Sequence, residues 1–507
     1  MIIVARRRVA VVLAAVVVLG GASTAVASAH AAPTTLLVTT LDRTGHAVRS
    51  QLVAENVRTR ASVVFWSGSP RRLAAGRYEV FASISTPDDG SVTSGVRRLR
   101  VNGSTRLTID ARRGRPARLH LQPAVPSGYR AWTTSWLCDS VGSPVVGQGT
   151  PGPTYAIPSG LADVEFAIGA EWADDSTDAS AIYLAGATHR GGVPDNFSRT
   201  IRVSGFTTLA VKGRTGLQSG DARVDVDFAG GDACRRIVMQ AHLLKPLPYA
   251  ITVHGPAGKW SLSQAAPDFI YGPNRTFAAG RAYRLTIGAA VWGPDGSLPV
   301  VDRYCHCIDV TDSRVFTDRL LSVGVESRVT YTLRKGKRVL LHVTADPDHR
   351  AVARRLPSAG WYTLTETATR RSVQALPAAA LSLRASLRLR FHADPAKAGQ
   401  VGGYVTRFVP VSLGSDNRTT AAATTVRLEP QRRRFVPFSH PDVRSIGAWA
   451  SYDGGSTWHA VPVHRAAGHW SAVVPNPASG FVSLRARIVD ADGNSATTQI
   501  IRAYAVR

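Results

Sequence analysis

The sequence predicts an all-β chain: tandem immunoglobulin- or transthyretin-like β-sandwich domains following a signal peptide. Three observations predict it. The 507 residues include 45 Gly and 29 Pro but only two Met, and few segments repeat their apolar positions with the 3.6-residue period of an amphipathic helix. Short alternating runs rich in Val, Thr and Tyr are instead punctuated by Gly, Asp and Asn, the way half-buried strands and their turns read. Two signatures recur along the chain, and recurrence at the length of a sandwich module marks a tandem array.

The chain opens MIIVARRRVAVVLAAVVVLGGASTAVASAHAAP. Arg6, Arg7 and Arg8 form a positive n-region, residues 9–19 an apolar run, and small residues follow around A-x-A sites, which is the layout of a secretory signal peptide over residues 1–31. The run is about half of the roughly 20 residues that a permanent membrane helix needs. Cleavage is expected after Ala27, Ala29 or Ala31. No later stretch is long and apolar enough to span, so the expected mature protein is secreted, either extracellular or cell-wall associated, with no stable transmembrane segment.

One hydrophobic core does not serve a chain of this length. "LAAGRYEV" at 73–80, "FAAGRAYRL" at 277–285 and "LPSAGWYTL" at 356–364 each set a turn Gly, with one or two residues between, before a Tyr that opens a strand, with "IPSGLADVEF" at 157–166 a looser relative. A second signature of alternating strands and Gly turns starts at Leu99, Ile201 and Leu320, a spacing of about 100 residues. After "TADPDH" at 344–349 the pattern changes, and "QRRRFVPFSHPD" at 431–442 reads as a linker. The predicted units are residues 32–124, 125–244, 245–348, 349–436 and a C-terminal immunoglobulin-like unit at 437–507.

Four cysteines in an exported chain predict two disulfides with three possible connectivities. The candidates are Cys138, Cys234, Cys305 and Cys307. Read as a strand, "RYCHCID" puts Cys305 and Cys307 on one side, each reaching a separate partner, in preference to a strained short ring between them. With His306 they also spell a candidate Cu or Zn site, which oxidising conditions disfavour.

The stretch "SYDGGSTWHAVPVHRAAGHW" at 451–470 crowds an Asp, three His and two Trp together. Ser451, Asp453, Gly455, Thr457 and Trp458 spell S-x-D-x-G-x-T-W, the Asp-box, a hairpin in which the carboxylate bonds turn amides, Gly takes the positive φ and Trp packs beneath. A single box with no surrounding propeller reads as a structural turn rather than sugar chemistry. His459, His464 and His469 are five apart, which in a hairpin scatters them across faces and argues against a zinc site. "DADGNS" at 490–495 lacks the later acidic ligand of a calcium loop and reads as a hairpin turn. "EWADDSTD" at 171–178 is the densest acidic run, read as a solvated loop in preference to a calcium site. No G-x-S-x-G occurs. The predicted catalytic residues, cofactors and metals are therefore none.

The formal charge is +26, and removing the three leader arginines leaves +23. Such a balance attracts anionic polymers or acidic substrates. Basic runs such as "DARRGRPAR", "TLRKGKR" and "QRRR" lack the aromatic interleaving of a nucleic-acid site, and behind a secretory leader nucleic acid is not an expected partner.

"LTIDARRGRPARLHL" at 107–121, the L-x-x-G-x-Y turns, and above all "SYDGGSTWHAVPV" with "SLRARIVDADGNSATTQIIRAYAV" resemble the non-catalytic C-terminal half of large secreted subtilisin-like (S8) serine peptidases of actinobacteria. The resemblance implies an appendage that holds substrate, partner or cell wall. The family's D-[ST]-G, H-G-T-H and G-T-S-M-A blocks are absent, and Met239, the only Met beyond the first residue, has no Gly-Thr-Ser before it. No residue inherits a triad role. The expectation is a non-enzymatic protein binding an extracellular protein or an anionic envelope polymer. The alternatives are an accessory of secreted proteolysis, a divergent peptidase or a carbohydrate-active enzyme.

Overall fold

The computed structural model describes residues 34–507 except 140, 142, 175–179, 216–220, 232, 267, 272–273, 311–315, 318–326, 346–351, 371–379 and 433–441. The expected leader, the linker core and the second half of the acidic run at 171–178 lie outside the described residues. What is described is almost entirely strand, with one short helix, Ala233–Ile237. The strands form seven sheets. No helix among the described residues is long and apolar enough to cross a membrane.

In the N-terminal half the sheets stack in layers. A small sheet around Thr34–Leu41 packs through Leu36 and Val38 against Leu52, Val80, Ala82 and Ile84 of a seven-stranded sheet. The other face of that sheet, with Val53, Phe81 and Val96, packs on Leu137, Phe166 and Ile168 of a second seven-stranded sheet. This second sheet is itself covered on its far side, where Ala167, Ile182 and Leu184 meet the sheet built on Asp221–Phe228. Central strands such as Gly76–Thr86 are consequently buried on both faces. The runs "YEVFASI" and "VEFAIGA", apolar on both faces but for Glu79, Ser83 and Glu165, are the sequence counterpart of that burial, where an alternating, half-buried strand is the simpler reading.

Cys138 at the end of strand Tyr129–Cys138 is bonded to Cys234 in the helix, 96 residues away. The chain that follows the helix lies flat on the sheet because the strands beneath it offer glycines. A Cβ on Gly169 would stand 1.6 Å from the Val238 carbonyl oxygen, and one on Gly186 would stand 2.7 Å from Met239 Cγ.

The C-terminal half is organised by a nine-stranded sheet. It runs in the order Arg338–Ala345, Ser327–Lys335, Gly360–Arg370, Arg384–Ala393, Ser495–Val506, Gly480–Asp490, Val443–Ser451 and His459–Val461, with Arg418–Thr419 against Ser495–Val506. One face is apolar and buries Leu364, Leu387, Leu389, Phe391, Leu484, Ile488 and Ile500. Asn417, fully buried, ties the two halves: its Oδ1 accepts from the Ala290 N–H at 2.9 Å and its Nδ2 donates to Gly288 O at 2.8 Å and Thr215 O at 2.6 Å.

Hydrogen bonding does not respect the unit boundaries expected from the repeats. Across 124/125, Thr154–Ala156 and Phe197–Arg202 both pair with Arg115–Gln122. Strand Gln240–Pro246 spans 244/245, and Tyr249–Pro256 joins the sheet of Ala181–Arg190. Across 348/349, Ser327–Lys335 pairs with Gly360–Arg370, and across 436/437, Arg384–Ala393 pairs with Ser495–Val506. Turn residues mark where a strand stops, not which sheet it joins.

Candidate functional site

The Asp-box stretch is a closed local network. Asp453 accepts from the Ser456 N–H and the Thr457 N–H, both at 2.9 Å, from Ser451 Oγ at 2.8 Å and from Thr457 Oγ1 at 2.6 Å. These donors hold its carboxyl well below the usual carboxylate range, Thr457 contributing most. Gly454 and Gly455 take φ of 73° and 93°, and a Cβ on Gly455 would stand 2.5 Å from Ile501 Cδ1. Trp458 Nε1 donates to Gly455 O at 3.0 Å, and the Arg485 guanidinium lies 4.0 Å over its ring. With its lone pairs engaged inside the turn, the carboxylate is not presented to a ligand.

The remaining candidates are dispersed. His459 lies in the nine-stranded sheet, while His464 and His469 lie in a different, four-stranded one. Asp490 is buried and accepts from the Asn494 N–H at 2.8 Å and Asn494 Nδ2 at 2.9 Å, closing its own turn. Cys305 and Cys307 do not reach separate partners: they are bonded to each other, with Cα atoms 5.1 Å apart. The preference for separate partners assumed a strand, whereas Cys305 and His306 sit in the hairpin turn before strand Cys307–Asp309, and His306 has φ of 54°. His306 Nδ1 is 2.9 Å from Pro395 O. Among the described residues no group of three or more His, Cys, Asp or Glu is placed to hold a metal ion.

One buried acid, Glu79, escaped sequence reading, and Glu171, the first residue of the run read as a solvated loop, lies on a strand. Glu79, fully buried, is bridged by Arg98, which also reaches Asp163 and so pins a loop of one sheet to a strand of another. On strand Glu165–Asp174, burial pushes the Glu171 carboxyl up to about 7.

A charged surface is built on the solvent face of the nine-stranded sheet. Strand Arg384–Ala393 alternates strictly, burying Ala385, Leu387, Leu389 and Phe391 and exposing Arg384, Arg388, Arg390 and His392. Arg388 and Arg390 are flanked across the ladder on both sides by hydroxyl-bearing residues, whereas Arg384 lies between Thr369 and Ile501. Arg388 stands between Thr365 and Thr497, and Arg390 between Thr363 and Ser495. One strand further, Arg487 is opposite Thr497 and Arg485 opposite Gln499. Arg485 donates to Gln499 Oε1 at 2.8 Å. Placing Thr or Ser between like charges avoids direct Arg–Arg pairs, which would be destabilising. The central strands Gly360–Arg370, Arg384–Ala393, Ser495–Val506 and Gly480–Asp490 hold two acidic residues, Glu366 and Asp490, and both are buried. Flat rings border the array. Trp361 lies 4.0 Å beneath the Arg390 guanidinium, and Trp449 lies along the sheet over Gly447, where a Cβ would stand 3.0 Å from the ring. The sequence signal for this face is the period-two arginine of "RASLRLRFH" and "LRAR"; its assembly across strands is not visible in one strand.

No protein-family profile matches the chain, and no curated protein matches it. Among solved structures it is similar to the Bacillus anthracis TIE protein at 11% identity and TM-score 0.13, over 50% of each chain. The Streptococcal ancillary pilin aligns at 10% identity and TM-score 0.13, over 51% of this chain and 89% of that one. Immunoglobulin domains 1–5 of Sidekick-1 align at 10% identity and TM-score 0.12, over 94% of this chain and 98% of that one. The alignment thus spans half the length of the first of these. Likenesses of this size assign nothing to the chain.

Proposed function

We propose that the chain is a secreted, non-enzymatic multidomain protein that binds an extracellular partner, and that the partner is an anionic polymer of the cell envelope held on the arginine face. The observation that carries this reading is the face itself: exposed guanidiniums on two strands that flank Ser495–Val506 in one sheet, with no exposed acid on its central strands. A surface of one charge sign attracts and retains a ligand of the other. The leader read in the sequence and two disulfides fit an oxidising compartment outside the cytosol. The resemblance to the appendages of secreted peptidases is consistent with a holding role beside a separately encoded enzyme.

The test incubates purified mature protein with isolated Gram-positive cell walls and with casein, at low and high salt, following both retention and cleavage. Retention on the walls that salt releases, with casein and glycan intact, is the expected result. Absence of retention at low salt overturns the reading, as does hydrolysis that survives a contamination control.

A further inference from the structure

We propose that the arginine face takes a linear phosphodiester polymer, its phosphates seated on Arg384, Arg388 and Arg487 and its sugar or polyol units against the ring of Trp449. This rests on the binding reading above and narrows it to one chemistry.

The cation type points to phosphate. On the central strands the outward cations are arginines, with His392 at one end and no lysine. A guanidinium presents a planar fork that engages two oxygens of an anion at once. The neighbours point the same way. Thr365, Thr497 and Ser495 set hydroxyl donors beside the forks, and donors outside the fork plane suit a tetrahedral phosphate, whereas a planar carboxylate is satisfied by the fork alone.

The spacing points to a repeating ligand. Arg384 and Arg388 project from one face of one strand, about 13.6 Å apart at the rise of an extended chain. Arg487 stands two strands from Arg388, about 9.6 Å away at the usual inter-strand distance. A compact anion occupies one such position, while a chain with regularly placed charges occupies several. At the border Trp449, lying along the sheet over Gly447, offers flat apolar surface for the uncharged links of such a chain.

The experiment titrates the full mature chain with inorganic polyphosphate and with poly-glutamate of matched length, across a salt series. Expected is binding of polyphosphate that the triple variant Arg384→Ser/Arg388→Ser/Arg487→Ser weakens at least tenfold. The slope of log affinity against log salt should fall by about 2, the share of three phosphate contacts on a single strand. Replacing the same three with Lys should keep the slope and still lose several-fold in affinity, because charge remains and the fork does not; full affinity there overturns the phosphate geometry. A control triple, Arg71→Ser/Arg106→Ser/Arg115→Ser, removes equal charge elsewhere and should bind almost as the parent does. Equal loss in the control means that net charge alone holds the polymer, which overturns both this inference and the placing of the binding face. Poly-glutamate bound as tightly through the same three arginines overturns the phosphate assignment and leaves the binding reading standing.

Discussion

Asp453 and Glu171 are carboxylates moved in opposite directions by their surroundings, and each makes a pH prediction of opposite sign. Asp453 is held below the usual range by four donors within its own turn. Its folded form prefers the ionised state, so its contribution is present at neutral pH and fades as acid carries the solution below the ordinary carboxylate range. Asp453→Asn should therefore melt below the parent at pH 7, with the gap closing towards pH 3, as followed by thermal unfolding at both values. Glu171 is raised by burial to about 7. Its folded form keeps a proton that the unfolded chain releases at lower pH, so stability declines as pH rises between those two titrations. Glu171→Gln should match the parent near pH 4 and melt above it at pH 8, by at most about 3 kcal/mol. A pH-independent difference would mean that Glu171 packs against something other than apolar surface.

At the scale of elements, the two disulfides differ in the loop they close, and chain entropy converts that into a prediction. Cys138–Cys234 closes a loop of 96 residues and clamps the short helix to its sheet. Cys138→Ala/Cys234→Ala should cost about 2–5 kcal/mol in denaturant unfolding of the N-terminal half. Cys305–Cys307 closes a single turn, for which the same argument gives about a third as much. The pairing of Cys138 with Cys234 was legible as one of three connectivities. That of Cys305 with Cys307 was passed over because the stretch was read as strand, whereas the positive φ at His306 makes it a turn. The same limit runs through the fold. Strand class was legible from Gly and Asp punctuation, and double burial could have been read from "VEFAIGA". Strand exchange between units was not, because Arg384–Ala393 and Ser495–Val506 lie more than 100 residues apart and nothing local in either names the other. The arginine face shares that fate: its period-two arginines are visible in one strand, and their hydroxyl neighbours are contributed by others.

For the whole molecule, ladders across every expected boundary predict cooperative halves rather than independent beads. Removing residues 437–507 would strip Ser495–Val506 and Gly480–Asp490 from the nine-stranded sheet and uncover the edge of Arg384–Ala393. It would also remove Ile500, Leu484 and Ile488 from the apolar face beneath, each worth about 1.5–3 kcal/mol when fully buried. A loss of that size exceeds what a domain can spare when its net stability is about 5–15 kcal/mol. A chain ending at 436 should therefore lose protection from hydrogen exchange along Gly360–Arg370 and Arg384–Ala393, and with it the binding face, although every residue of those strands is retained. The isolated segment 437–507 should fail in the same way, because Arg487 alone does not make an array and its sheet ends at an open edge. Full protection of Arg384–Ala393 in the truncated chain would show that the last unit is an independent bead, and the face would then have to be redrawn within the remaining strands.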